Sequence, residues 1–430
     1  MGIKPNTEKL RSRQAALEVL YCVNKDINLK EAFECKQFIN LPEEAKPFTK
    51  YLVTQTLRYQ NALIHIFELY LQKKPQNKAI EFVYTFLSLG ACELLLSQQK
   101  TNITLSSYTE ITKIDKKTTH LSGIIRAILG KIDQNRDSLM HYFKDYKLIF
   151  GDIFYNDLLK DYPDQVDNIC EGLLCEPVND VLKLTECSTP ENYTDLLPNL
   201  MRYQGGIRPE NTDLFINGDV TIQSYASHLP IYGAGDIAGK TLLDLCAAPG
   251  GKTLQAIAAK ADVTAVDISR NRLERLYENL ERTHLNAKII TADVLNFKSN
   301  TLFDIILLDA PCTATGTIRK NPDIIQSFTL ENADKLVTLQ KNMLNYVEKF
   351  VKIEGLLIYA VCSLSKSEGE NQVDEFIKNH PNFQIIMPQH SDKLPKNALT
   401  DNQCIRLLPH HDIETGGHDG FFVAYLRKIS

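Results

Sequence analysis

No apolar run in this 430-residue sequence approaches bilayer-spanning length. The richest, Phe82–Cys92, fits a buried helix instead. The opening M-G-I-K-P-N-T-E-K has no apolar segment of the export type. Pro5 and Asn6 do not complete the myristoylation pattern that Gly2 would begin. A cytoplasmic protein without a membrane partner is expected. Cysteine pairing is missing too. The ten cysteines are scattered, with no C-x-x-C among them, which argues against a zinc site and against a disulfide scaffold, and no metal is expected. Positive charge is not in excess, since the formal net charge is -5. That total hides an asymmetry. Residues 1–140 hold 20 Lys and Arg against 14 Asp and Glu, whereas 141–430 hold 28 against 39. A basic first part suits contact with a polyanion, although a solvated helical surface would give the same balance.

Two nucleotide fingerprints are absent as well. Gly251-Lys252-Thr253 could end a phosphate-binding P-loop, but its first glycine would fall at residue 246, which is Cys246. The dinucleotide pattern G-x-G-x-x-G is not found. What is there instead is T-L-L-D-L-C-A-A-P-G-G-K-T over Thr241–Thr253: a short apolar strand, a sharp turn of small residues, and the start of a helix. A strand, a glycine turn and a helix N-terminus at the carboxyl end of a parallel sheet make a site for a nucleotide-like ligand. With the two fingerprints excluded, S-adenosylmethionine is the remaining ligand for such a turn. An ordinary strand-to-helix turn is the plain alternative.

The periodicity divides the chain into three. Residues 1–140 read as a helical bundle, with apolar spacing over Arg13–Cys22, Phe48–Phe67, Ala79–Leu96 and Leu121–Ile132. Its basic members include Arg11, Arg13, Lys50, Arg58, Lys73, Lys74, Lys116, Lys117 and Arg126, none of which is assigned to a ligand by the sequence. Residues 141–218 read as a linker helix over Tyr142–Tyr162, then a small α+β subdomain with a strand at Val178–Thr185. Residues 219–430 read as α/β. Strands are expected at Thr241–Leu245, Val263–Val266, Lys288–Thr291, Phe303–Leu308 and Leu356–Val361, with helices at Arg270–His284 and Glu331–Lys352 between them. Such alternation implies right-handed crossovers and a parallel, doubly wound sheet. Late strands near Phe383–Ile386 and Phe421–Leu426 could add an edge hairpin. The fold class is therefore multidomain: all-α, then a small α+β connector, then a Rossmann-like α/β domain.

Chemistry gathers at the strand ends. Three successive strands lead to Asp267, Asp293 and Asp309, which suit a ribose, an adenine amino group and the same crevice respectively. Cys312, in D-A-P-C, and Cys362, in V-C-S-L-S, follow the next loop ends. A free cysteine is more often inert core than nucleophile, but two thiols on independent loops at a ligand edge favour chemistry. A pyrimidine C5 is too poor a nucleophile to take a methyl group directly. A thiolate adding at C6 makes C5 enamine-like, and loss of the C5 proton later expels the thiol. Asp309 could stabilise the adduct at N3, and the base must leave its stack to be reached. The Asn/Asp-Pro-Pro-aromatic loop of amine N-methyltransferases is absent.

L-D-L-C-A-A-P-G-G-K-T, A-V-D-I-S, D-A-P-C, V-C-S-L-S and the closing D-G-F-F-V-A resemble the RNA cytosine-C5 methyltransferases of the Nop2/Sun family. The helical first domain is similar to the RNA-binding NusB fold, and I-R-K-N-P-D-I after Cys312 resembles the bacterial branch that modifies small-subunit rRNA. The resemblance implies methylation of a cytosine of the 967 type in 16S rRNA. It makes Cys362 the nucleophile and Cys312 the thiol that assists release. Cys246, Ala247, Ala248, Pro249, Gly250, Gly251, Lys252, Asp267, Asp293 and Asp309 would line the S-adenosylmethionine site, with Asp309 doubling as the N3 partner. Gln223 and Ser224 would flank the cofactor pocket. RNA is the expected partner, DNA is not, and a monomer is expected. A transfer-RNA target, or a non-catalytic ribosome assembly factor, are the competing readings. Three departures stand out: Val361 where the family usually has Thr, Ala314 where it usually has Gly, and no Trp anywhere in the chain.

Overall fold

A computed structural model describes residues 7–72, 78–97, 99–114, 118–205 and 208–430. Lys73, Lys74, Lys116 and Lys117 therefore lie outside the described residues. The chain forms two compact units: Met1–Asn156 with Asn321–Phe328, and Asp157–Lys320 with Thr329–Ser430.

The first unit is helical, as its periodicity requires. Its longer helices are Thr7–Val23, Lys46–Arg58, Gln60–Glu68, Lys78–Leu96, Thr101–Ile114 and Ser122–Gln134. The helical spacing over Phe48–Phe67 is carried by two helices that meet at Tyr59, whose φ of -111° and ψ of 18° end one and begin the next. Ala79–Leu96 belongs to one helix, and Gly90 explains its packing: a Cβ there would sit 2.7 Å from Leu129 Cδ1. Leu52, Leu57, Leu63, Phe67, Leu87, Ile125 and Leu129 fill the core with no exposed surface. Two of the basic residues named from the sequence are buried. Arg13 is 0% and Arg58 2% exposed, so neither can meet a polyanion. The segment Asn321–Phe328 returns to this unit. Asp323 Oδ2 accepts the Leu29 N–H at 3.0 Å, and Phe328 meets Phe154 edge-on at 5.3 Å. The expected helix over Tyr142–Tyr162 is interrupted: Gly151, at φ 77°, separates Tyr146–Phe150 from Asp152–Asp161.

The second unit holds two sheets. The smaller contains β1 (Asp180–Lys183), β2 (Tyr193–Leu197), β3 (Leu200–Tyr203) and β4 (Val220–Ile222) in the order β2-β3-β1-β4. The larger contains β5 (Thr241–Leu245), β6 (Asp262–Asp267), β7 (Lys288–Thr291), β8 (Phe303–Asp309), β9 (Val351–Val361), β10 (Phe383–Ile385), β11 (Ile405–Leu407) and β12 (Phe421–Lys428). Its order is β10-β12-β9-β8-β5-β6-β7, with β11 paired to β12. β5 to β9 are parallel and β10 to β12 antiparallel, so the sheet is mixed. Strand order reverses between β5 and β8, which opens a crevice at their carboxyl ends.

Two expectations need correcting here. The late strands do pair antiparallel at the sheet edge, but β11 lies between them in sequence and also pairs with β12, so they are not a two-strand hairpin. The first six residues of β12 are all buried, and a strand buried on both faces belongs inside a sheet. The helix expected to Lys352 stops at Val347. After one 3-10 turn, β9 begins at Val351, where Val351 and Ile353 favour an extended chain.

Candidate active site

The loop after β5 is built by its backbone. Cys246 takes φ 60°, the Ala248–Pro249 bond is cis, and Gly250 takes φ 104° as N-cap of the helix Gly251–Ala258. A Cβ on Gly250 would lie 2.3 Å from Leu276 Cδ1, so both conformation and packing call for glycine. Gly251, in contrast, faces open space, with nothing nearer to a notional Cβ than Gln223 Nε2 at 4.0 Å. The Leu254 N–H is bonded to the Gly250 carbonyl at 2.8 Å. The N–H groups of Gly251, Lys252 and Thr253 precede it, and helix geometry turns such groups outward. Beneath the loop, Asp244 is fully enclosed. Its Oδ2 accepts the Thr253 hydroxyl at 2.5 Å while its Oδ1 has no hydrogen-bond partner among the described residues, and burial pushes its pKa up to about 7.

Asp267 ends β6 and is 1% exposed. Its Oδ2 accepts the Ala248 N–H at 3.1 Å and Arg272 Nη2 at 2.8 Å, and its Oδ1 accepts the Ser269 N–H at 2.9 Å. It therefore braces the glycine loop as well as facing the crevice edge. The residue after it, Ile268, is 66% exposed, a large apolar surface beside that carboxylate. Asp293 caps the turn after β7, accepting Leu295 N–H and Asn296 Nδ2, both at 3.0 Å. Asp309 ends β8, and its Oδ2 lies 2.7 Å from Lys252 Nζ. Burial opposes the Lys252 charge, yet Asp309 outweighs it and holds the pKa above the usual lysine range. The ammonium also sits 5.4 Å over the Phe421 ring. Gln223 bonds Gln255 Oε1 at 2.8 Å, and Ser224 caps the helix Tyr225–Tyr232.

The two thiols meet: Cys312 Sγ and Cys362 Sγ are 3.4 Å apart. Their loops are tied by the Gly316 N–H to the Cys362 carbonyl at 3.0 Å. The hydrogen bond to Cys362 and burial together raise the Cys312 pKa well above the ordinary thiol value. Burial, helped by the nearby Asp309 and Asp267 carboxylates, pushes Cys246 up to about 12, which marks it as loop architecture. Two of the three departures from the family pattern have a structural reading. Val361 is fully buried in the apolar core, where a threonine hydroxyl would gain no solvent contact. Ala314 stands at φ 56°, the left-handed region a glycine enters freely, at about 1–2 kcal/mol for alanine.

Sequence reasoning missed the supports of this site. Glu368 and Gln340 are 0% exposed and join the two cysteine loops, and Arg406 Nη1 donates to the Ser363 carbonyl at 2.5 Å. Glu368 lies in a polar turn, Gln340 on the helix Leu330–Val347 and Arg406 on β11, and a lone polar residue in such a place gives no periodic sign of burial. Their burial became visible only when the loops were brought together.

Among the described residues, no helix is long and apolar enough to cross a membrane. Residues 237–427 match the family described as 16S rRNA methyltransferase RsmB/F, and residues 10–134 match the NusB family. Ribosomal RNA small subunit methyltransferase B of Proteus mirabilis is 30% identical over 409 residues, covering 90% of this chain and 92% of that protein. The protein of the same name from Pasteurella multocida is 28% identical over 379 residues, covering 83% and 82%. The crystal structure of PH0851 shares the fold at a TM-score of 0.77 and 19% identity, with all of both chains covered. The glycine turn at the switch point, the acids at successive strand ends and these matches agree: the chain belongs to the RsmB/F family of 16S rRNA methyltransferases and is an S-adenosylmethionine-dependent RNA methyltransferase.

Proposed function

We propose that the protein methylates C5 of one cytosine in small-subunit rRNA, of the 16S cytosine-967 type, with Cys362 as nucleophile and Cys312 as the release residue. The observation that carries this reading is the 3.4 Å approach of the two sulfurs beside Asp309 and Lys252. The name shared by the relatives from Proteus mirabilis and Pasteurella multocida supports the rRNA target.

The crevice suits S-adenosylmethionine. The N–H groups at the start of the helix Gly251–Ala258 suit a carboxylate, and Gly251 leaves them open space. Asp267 keeps capacity for a ribose hydroxyl beyond the three donors it already accepts. Ile268 offers an apolar face for adenine, with Asp293 for its amino group. When bound, S-adenosylmethionine supplies an electrophilic methyl group. The remaining work falls to this chain. Cys362 Sγ adds to C6 of the cytosine, which consumes the C5–C6 double bond and places its electron pair on C5, now nucleophilic. The thiol proton of Cys362 passes by way of the Asp309 carboxylate to N3 as negative charge develops on the ring, and Lys252 pairs with that carboxylate. Cys312, kept protonated, donates to the Cys362 sulfur and holds it on its line of attack. Once C5 carries the methyl group, its proton passes to solvent water, the C5–C6 double bond re-forms, and Cys362 departs as thiolate and takes back the proton held at N3. Cys312 lies beside the C6–S bond that breaks.

The test is incubation with labelled S-adenosylmethionine and protein-free small-subunit rRNA, followed by mapping of the modified nucleotide. Label at C5 of one cytosine is the expected result. Label confined to transfer RNA would overturn the target. No label on any RNA, with the cofactor bound, would favour an assembly factor.

A further inference from the structure

We propose that Glu368 is the positioning residue of the two-thiol site: its carboxylate clamps the residues that follow Cys312 and Cys362 and so sets how the two sulfurs face each other. The inference rests on the two-thiol reading above.

Glu368 lies in the turn before the helix Glu370–Asn379 and is 0% exposed. Its Oε1 accepts the Thr313 N–H and Gln340 Nε2, both at 2.9 Å. Its Oε2 accepts the Thr313 hydroxyl at 2.5 Å and the Ser363 hydroxyl. Thr313 follows Cys312 and Ser363 follows Cys362, so one carboxylate holds both neighbours of the reacting sulfurs. Gln340 extends the clamp by donating also to the Pro311 carbonyl at 2.9 Å. Thr315 closes it from the other side, its Oγ1 accepting the Leu364 N–H at 3.0 Å.

All four donors to Glu368 are neutral. A buried carboxylate satisfied only by neutral donors is a costly way to tie two loops together. A neutral amide could make a comparable set of bonds, because hydroxyls can either donate or accept. What the amide lacks is the negative charge. That charge faces Cys312, where it works with the Cys362 hydrogen bond and burial to keep the thiol protonated. Cys362, in contrast, has the Lys252 ammonium in its surroundings. The anion thus acts on Cys312, the partner of the attacking thiol.

Two substitutions separate positioning from charge. Glu368→Ala removes both. Turnover is expected to fall about 100-fold, the scale of a misplaced reacting group, with cofactor affinity and the KM for RNA within about threefold of the parent. Glu368→Gln keeps the hydrogen-bond frame and removes the charge. Turnover is expected within about tenfold, and the falling, alkaline limb of the pH–rate profile, set by loss of the Cys312 proton, is expected at lower pH than in the parent. The Gln variant also answers if the Ala variant does not fold. Normal turnover in Glu368→Ala would overturn the proposal, as would loss of cofactor binding along with turnover. A Gln variant as inactive as Ala, or one with an unmoved pH limb, would overturn it too. Cys312→Ala distinguishes the two levels of failure. If it accumulates no RNA adduct on Cys362, the two-thiol reading falls. If it does, and Glu368→Ala still turns over normally, only the role of Glu368 falls.

Discussion

Replacing Glu93 tests how the helical unit is held together. Glu93 accepts Arg13 Nε at 2.8 Å, Arg13 Nη2, the Thr104 hydroxyl at 2.9 Å and the Tyr108 hydroxyl at 3.0 Å. Arg13 and Glu93 are both fully buried, on helices far apart in sequence. Removing one partner of such a pair costs about 3–5 kcal/mol, because the other charge stays in a site that no longer compensates it. Glu93→Ala should therefore destabilise the unit by about 4 kcal/mol, a large share of the roughly 5–15 kcal/mol that holds a folded domain. The double change Arg13→Met with Glu93→Leu should recover most of that loss, since no charge is then buried. Urea unfolding of the full chain, read by hydrogen exchange on the helix Lys78–Leu96, reports the unit directly. A loss below about 1 kcal/mol for Glu93→Ala, or a double variant no better than the single, would refute the reasoning. The same geometry gives Arg13 a structural duty and removes it from any RNA footprint.

Other predictions concern the cofactor loop. Asp244 has a folded pKa of about 7 against an ordinary value near 3.8, so the native state binds a proton that the unfolded chain has lost across that window. Stability from this group is therefore full below the ordinary value, falls as pH rises through the window, and stays low above it. Asp244→Asn should remove that loss and melt higher than the parent at pH 8.5, by the equivalent of about 2–4 kcal/mol, with the two converging toward pH 4; a gap that does not change with pH would contradict this. Gly250→Ala forces a side chain onto Leu276 and a φ of 104°, and should weaken cofactor binding by calorimetry more than tenfold, whereas Gly251→Ala meets only open space and should perturb the loop less.

How much of this was legible in the sequence follows from which forces leave a periodic or local trace. The glycine turn did, because Gly250 needs its conformation whatever lies around it. The parallel strands did, since runs such as L-L-D-L and I-I-L-L are what strands buried on both faces require. Helix ends were less clear. Tyr59 breaks a helix with no proline or glycine to announce it, and the helix after Glu331 gives way to β9 sooner than its apolar spacing suggests. The place of β12 inside the sheet depends on tertiary pairing that no local pattern states. At the site, the two cysteines and the strand-end acids were visible as motifs. The clamp on them was not, because Glu368, Gln340 and Arg406 look like surface residues until distant loops close over them. Arg13 misled in the same way: a basic residue on an apparently amphipathic helix reads as surface, and only its partner 80 residues away explains its burial.

The most direct test of the central claim is to trap the reaction on its nucleophile. The Cys312→Ala variant is incubated with S-adenosylmethionine and small-subunit rRNA, the protein–RNA adduct is isolated, and the cross-linked peptide is sequenced. The account predicts that adduct accumulates on Cys362, and that adding Cys362→Ala abolishes it while cofactor binding persists. Adduct on another residue, or undiminished methylation by Cys362→Ala, would contradict it.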